Sequence, residues 1–171
     1  MLPARRARLV LAAPLAALAL AARGSSGSSA AAAAGPCTTA ELGFSLGTID
    51  HQQDRVPIVA TNRSAKPCTL RGYPDIEFVA RDGTTEGVVT STIVPVTPIN
   101  LAPGQAAQAV LQFLPFGPDT PSTEIKLDVT SLRVTPPGAT NPAILPWAEG
   151  PLQDQGGATH PATYIMAFER R

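Results

Sequence analysis

The sequence predicts an all-β protein, an antiparallel β-sandwich of about seven to nine short strands, and three observations carry that reading. Apolar and polar residues alternate in short runs, the period of a half-buried strand. Eighteen prolines and fourteen glycines punctuate those runs, and proline removes a backbone donor that a helix interior needs. Turn residues recur at the short, regular spacing of a sandwich, with no helical pattern between strands.

The first strand is expected at Leu42, Phe44 and Leu46, which alternate with Gly43 and Ser45. Val56, Ile58 and Ala60 repeat the pattern ahead of the turn segment 61–67. Ile76, Phe78 and Ala80 form the next strand, closed by Asp82-Gly83, where glycine accepts the positive φ of a hairpin turn. Residues 88–96 are rich in β-branched side chains but include Pro95, which cannot donate to a ladder and therefore marks an edge. Ala102-Pro103-Gly104 turns the chain into a strand with Ala107, Ala109, Leu111 and Phe113 on one face and Gln108 and Gln112 on the other. Ile125, Leu127 and Val129 alternate next, then Leu132 and Val134, stopped by Pro136-Pro137-Gly138. Residues 143–147 form a short strand between prolines, and the last strand points Tyr164, Met166 and Phe168 one way. Residues 148–162 have no periodicity and are expected as a long surface loop.

Residues 1–34 stand outside this pattern. Arg5, Arg6 and Arg8 precede an uncharged apolar stretch of 14 residues, Leu9 to Ala22, the arrangement of a secretory signal peptide. The stretch is shorter than the roughly 20 apolar residues of a membrane-spanning helix. Ala19-Leu20-Ala21 and Ala32-Ala33-Ala34 are alternative cleavage patterns. The run from Gly24 to Gly35 reads as a flexible Ser/Gly/Ala tail. A single sandwich domain is expected over residues 35–171, a length that supports a real core without metal. Localisation follows as secreted, extracellular or cell-wall associated. A lipid anchor is disfavoured because Pro36 precedes Cys37 and a polar stretch separates it from the apolar run.

Export also bears on charge and cysteine chemistry. Loss of Arg5, Arg6, Arg8 and Arg23 leaves nine basic against thirteen acidic residues, a net charge of −4. That balance argues against nucleic acid, whose phosphates need a basic face. Cys37 and Cys68 are the chain's two cysteines. Outside the reducing cytosol, and without C-x-x-C spacing, they are read as one structural disulfide fastening the first strand to a later loop. Closing that loop stabilises the fold by roughly 3–4 kcal/mol in the chain-entropy model.

The segment TNRSAKPCTLRGYP at 61–74, with Cys37 introducing LGFSLG, resembles an actinobacterial family of exported domains of unknown function (domain of unknown function 4232). LAPGQAA at 101–107 and LRVTPPG at 132–138 agree with it, and the likeness spans the chain beyond the export signal. The resemblance implies an exported or lipid-anchored protein with an immunoglobulin-like fold, and it brings no established activity. This chain departs from the family pattern in lacking both a lipid-attachment cysteine and a second cysteine pair near the LRV strand and in the late loop. No second bridge therefore orders residues 148–162.

Candidate sites are few. Arg71 and Tyr73 belong to a loop whose residue types favour interfaces, although Gly72 and Pro74 have turn mechanisms of their own. Trp147 reads either as an exposed contact or as a plug of the core. Arg71, Tyr73 and Trp147 are the candidate ligand contacts, and the Arg71–Pro74 and Ala148–Ala162 loops are the candidate binding surfaces. Asn62-Arg63-Ser64 matches a glycosylation sequon, but the bacterial character of the chain argues against its use. His51 and His160 are 109 positions apart, there is no G-x-S-x-G elbow, and Asp75 and Glu77 read as a solvated strand face. No catalytic residue, metal ligand or cofactor is assigned. The expected function is a non-enzymatic binding or structural domain of the cell envelope or extracellular space, monomeric, with an unknown protein, glycan or cell-wall partner. The alternatives are an exported copper carrier and a hydrolase.

Overall fold

The computed structural model describes residues 34–171, so the expected export signal, its cleavage patterns and most of the tail lie outside the described residues. The described chain is all-β, with fourteen short strands and no helix. In order these are β1 (Leu42–Leu46), β2 (Arg55–Asn62), β3 (Cys68–Leu70), β4 (Asp75–Ala80), β5 (Thr85–Gly87), β6 (Val89–Thr90) and β7 (Ile99–Leu101). They continue with β8 (Ala106–Gln112), β9 (Lys126–Leu127), β10 (Val129–Thr135), β11 (Ala143–Pro146), β12 (Leu152–Gln153), β13 (Tyr164–Ile165) and β14 (Glu169–Arg170).

One sheet has the order β1-β2-β8-β13-β6, with β14 also on β8, and the second has the order β11-β10-β4-β5. Two ribbons, β3-β7 and β12-β9, complete the fold. Every strand pair is antiparallel except β13 with β6. Val56, Ile58 and Ala60 of β2 and Ala107, Ala109 and Leu111 of β8 are buried in one continuous core with Ile76 and Phe78 of β4 and Leu132 and Val134 of β10. The two inner faces thus interdigitate as a sandwich.

Strands outnumber the expected seven to nine because irregularities divide several of them. The apolar phase of the sequence changes between Leu127/Val129 and Leu132/Val134, and a bulge in β10 absorbs the change. Val129 lies opposite Ala80 and Ser131 opposite Val79, leaving Thr130 as the extra residue. A strand that kept strict alternation here would turn Leu132 and Val134 to solvent.

The C-terminal segment breaks the alternation in the same way. Ile165 faces Leu111 and Glu169 faces Gln108, so four steps on this segment oppose three on β8. Tyr164, Met166 and Phe168 therefore do not share one face, which corrects the expectation that all three point the same way. Ile165, Ala167 and Phe168 are buried, while Tyr164 and Met166 are half-buried. Of the β-branched run 88–96 only Val89–Thr90 is strand, and β6 ends its sheet, the edge position that Pro95 implies. Residues 148–162 are also more anchored than a surface loop. Leu152 is buried and pairs with Leu127, and the Gln153 amide donates to Leu114 O at 2.9 Å.

Candidate functional site

The disulfide joins Cys37 to Cys68 with their Cα atoms 4.9 Å apart, and both residues are buried. Around it the N-terminal segment lies along β3: the Cys37 amide donates to Thr69 O at 3.0 Å and the Thr69 amide to Gly35 O at 2.8 Å. The bridge therefore reinforces the backbone pairing of this segment with β3.

Arg71 and Tyr73 share the connection between β3 and β4, where Arg71 is exposed and Tyr73 half-buried. Gly72 between them has φ +117°, a conformation open to glycine, and its carbonyl accepts the Phe168 amide at 2.9 Å. The loop is thus built into the fold by its backbone, with the Arg71 side chain facing outward.

Trp147 does not join them, which corrects its placement among ligand contacts. It is 6% exposed and meets Phe113 and Phe78 edge-on, at centroid distances of 5.1 and 6.0 Å. Its indole N–H donates to Gly150 O at 2.8 Å. Neither the ring nor the donor is left for a ligand, so of its two readings the core plug is the one the packing supports.

Asn62 is also buried. Its Nδ2 donates to Lys66 O at 2.8 Å and Leu101 O at 2.9 Å, and its Oδ1 accepts the Ser64 amide at 2.9 Å. Every polar atom of the side chain is used in holding the β2–β3 turn against β7. A glycan could not be attached to this amide without dismantling the turn.

His51 is exposed and 3.9 Å from Glu149, whereas His160 contacts Thr159 at 3.2 Å. Among the described residues, no three side chains of His, Cys, Asp and Glu converge on a metal position. Glu77 lies 3.5 Å from Arg133 on an exposed strand face, beside an exposed Asp75.

One cluster has no counterpart among the sequence motifs. Glu86 of β5 accepts the Gln155 amide on Oε1 at 2.9 Å, while its Oε2 is shielded from solvent without a hydrogen-bond partner among the described residues. Thr163, 4% exposed, likewise keeps an unpartnered Oγ1. Both residues line a cavity of about 130 Å³ whose walls include Val89, Gln155 and Pro161. Asp154 stands beside Glu86, with its Oδ1 accepting the Gly156 amide at 2.8 Å. Burial pushes the Glu86 carboxyl above its ordinary range; the Gln155 N–H opposes that shift, and the Asp154 carboxylate adds to it. Gln155 Oε1 in turn accepts the Ala162 amide at 2.9 Å, closing the segment over the cavity. No sequence signal links Glu86 to Asp154 and Thr163, because they lie in segments whose pairing only the fold establishes.

A wider, open cleft of about 430 Å³ lies between residues 38–40 and the turn 138–141. The Thr39 hydroxyl donates to Asn141 O across it, and the Thr38 amide and hydroxyl hold the Glu41 carboxyl below its ordinary range.

No curated protein and no solved structure matches the chain. The model of the family described as Domain of unknown function (DUF4232) matches residues 37–164. That match runs from the disulfide cysteine Cys37 to Tyr164 in β13 and takes in both main sheets, and the chain belongs to this family.

Proposed function

We propose that this protein is an exported, non-enzymatic binding domain of the bacterial cell envelope or extracellular space, and that it holds a protein partner along the outer edge of β6. The immunoglobulin-like kinship of the sandwich belongs to the same reading. One observation carries it: β6 ends its sheet, and the segment it opens exposes Val89 by 48%, Ile93 by 72% and Val96 by 38%. A sheet edge offers backbone donors and acceptors to an extended polypeptide, and exposed β-branched side chains give it an apolar surface to pack on. Pro95 and Pro98 interrupt that edge, which favours one partner segment over open-ended strand addition. A glycan partner is less well served, because the large apolar side chains exposed among the described residues are aliphatic and Trp147 is buried.

The test starts with capture from native envelope and culture fluid, using the disulfide-bonded protein as bait and Cys37→Ser/Cys68→Ser as control. A recovered partner is purified and titrated against wild type and Ile93→Asp. A saturable complex weakened roughly tenfold or more by Ile93→Asp supports the reading. Recovery of no partner, or an affinity indifferent to Ile93→Asp, overturns it.

A further inference from the structure

We propose that Arg170, Arg171 and Gln105 form a site for a phosphate-class oxyanion, at the end of β8 where β14 joins it. The inference goes beyond partner binding and does not rest on it. β14 pairs with Ala107 and Gln108, whereas β13, which carries β6, pairs with Leu111 and Gln112 at the other end of the same strand. Arg170, Arg171 and Gln105 line one cleft of about 260 Å³ together with Leu101 and Ala106. Both arginines are exposed, and neither pairs with a carboxylate among the described residues. Glu169 turns the other way. Alternation along the strand sends it to the face opposite Arg170, where it accepts a hydrogen bond from Gln108 Nε2 at 3.2 Å. The lining of the cleft thus contains no acidic side chain.

The donor chemistry selects the ligand. Gln105 Oε1 accepts the Ala102 amide at 3.0 Å, which leaves the Nε2 hydrogens to face outward. Each guanidinium adds N–H donors in a planar fork and has no acceptor. The side chains of the cleft therefore offer donors to a ligand. Even with the α-carboxylate of Arg171 counted, two guanidiniums leave a positive balance there, in a domain whose residues 35–171 hold nine basic against thirteen acidic side chains. Forked donors match the oxygens of a phosphate, and such charge-assisted bonds are about twice as strong as neutral ones. A soluble phosphate ester and the phosphate of an anionic lipid headgroup present the same oxygens, and the cleft opens to the surface where either can reach it.

The experiment titrates the isotope-labelled, disulfide-bonded protein with inorganic phosphate and with glycerol 3-phosphate, balanced with NaCl to about 0.1 M ionic strength. NMR follows the backbone amides of Gln105, Ala106, Arg170 and Arg171. Saturable shifts centred on those amides are expected. Arg170→Gln/Arg171→Gln weakens binding by about tenfold or more, as the loss of charge-assisted hydrogen bonds requires, and leaves Tm unchanged because both side chains are exposed. Arg81→Gln/Arg133→Gln removes the same charge elsewhere and keeps the shifts. Ile93→Asp keeps them too, so this site and the β6 reading fail separately. Flotation with vesicles of phosphatidylcholine, with and without phosphatidylglycerol, separates the two sources. Association that needs phosphatidylglycerol and is lost in Arg170→Gln/Arg171→Gln assigns the site to lipid headgroups; soluble binding without it assigns the site to phosphate esters. Shifts that do not saturate, or that are equal in the two double variants, overturn the proposal, as does the absence of both shifts and flotation.

Discussion

The ring of Phe113 meets the indole of Trp147 at 88°, with centroids 5.1 Å apart. Phe113 follows β8 of one sheet, and Trp147 follows β11 of the other, so this contact joins the two layers. With Phe78 on its other side, Trp147 closes the core in a role that leaves it nothing to offer a ligand. Trp147→Ala is expected to cost about 3–5 kcal/mol, the range for a large aromatic removed from a core. Chemical denaturation measures it. A loss below about 1 kcal/mol would show that the indole is peripheral to the core.

The disulfide has a separate measurable share. Cys37→Ser/Cys68→Ser is expected to lose roughly 3–4 kcal/mol relative to the oxidised protein. Urea unfolding with and without reductant tests this, and the reduced wild type should match the double variant.

Asn62 holds two carbonyls and one amide through a single buried side chain. Asn62→Ala leaves those groups without their partner and is expected to cost about 3 kcal/mol. Ser64→Ala, which removes a hydroxyl bonded only to Lys66 at the exposed rim, should cost less than about 1 kcal/mol. Equal costs would contradict the assignment of Asn62 as the centre of this turn.

Two exposed carboxylates give the fold an acid-side dependence. Hydrogen bonds from the Thr38 amide and hydroxyl lower Glu41, and those from the Thr84 amide and hydroxyl lower Asp82. Because the folded values lie below the unfolded ones, the native state binds fewer protons. Each contribution is complete above the ordinary carboxyl values, 4.5 for Glu41 and 3.8 for Asp82, and disappears as pH falls through the lowered folded values. The stability difference between wild type and Glu41→Gln should therefore narrow from about pH 6 to pH 3. A difference that stays constant across that range would refute the linkage.

The interior strands are legible in the sequence because burial imposes period two on them. Val56, Ile58 and Ala60, Ile76 and Phe78, and Ala107, Ala109 and Leu111 all face inward as their alternation requires. Three-residue strands such as β3, β5 and β7 are too short to carry a period, so no alternation marks them. The last strand differs for another reason. Tyr164, Met166 and Phe168 alternate in sequence, but the extra residue opposite β8 reverses which of their neighbours point inward. Leu152 is inconspicuous among prolines, glycines and polar residues, yet its pairing with Leu127 anchors that segment.

By itself the sequence determined the all-β class, the hairpin at Asp82-Gly83, the edge position marked by Pro95 and the pairing of Cys37 with Cys68. Each depends on local backbone chemistry, on the period of burial or on there being two cysteines to join. Tertiary structure alone decided that Trp147 is core, that Asn62 braces a turn and that Glu86 meets Asp154 beside a buried Thr163. Those relations are made between segments distant in sequence, and a lone polar or aromatic residue does not reveal which strand the fold will lay against it.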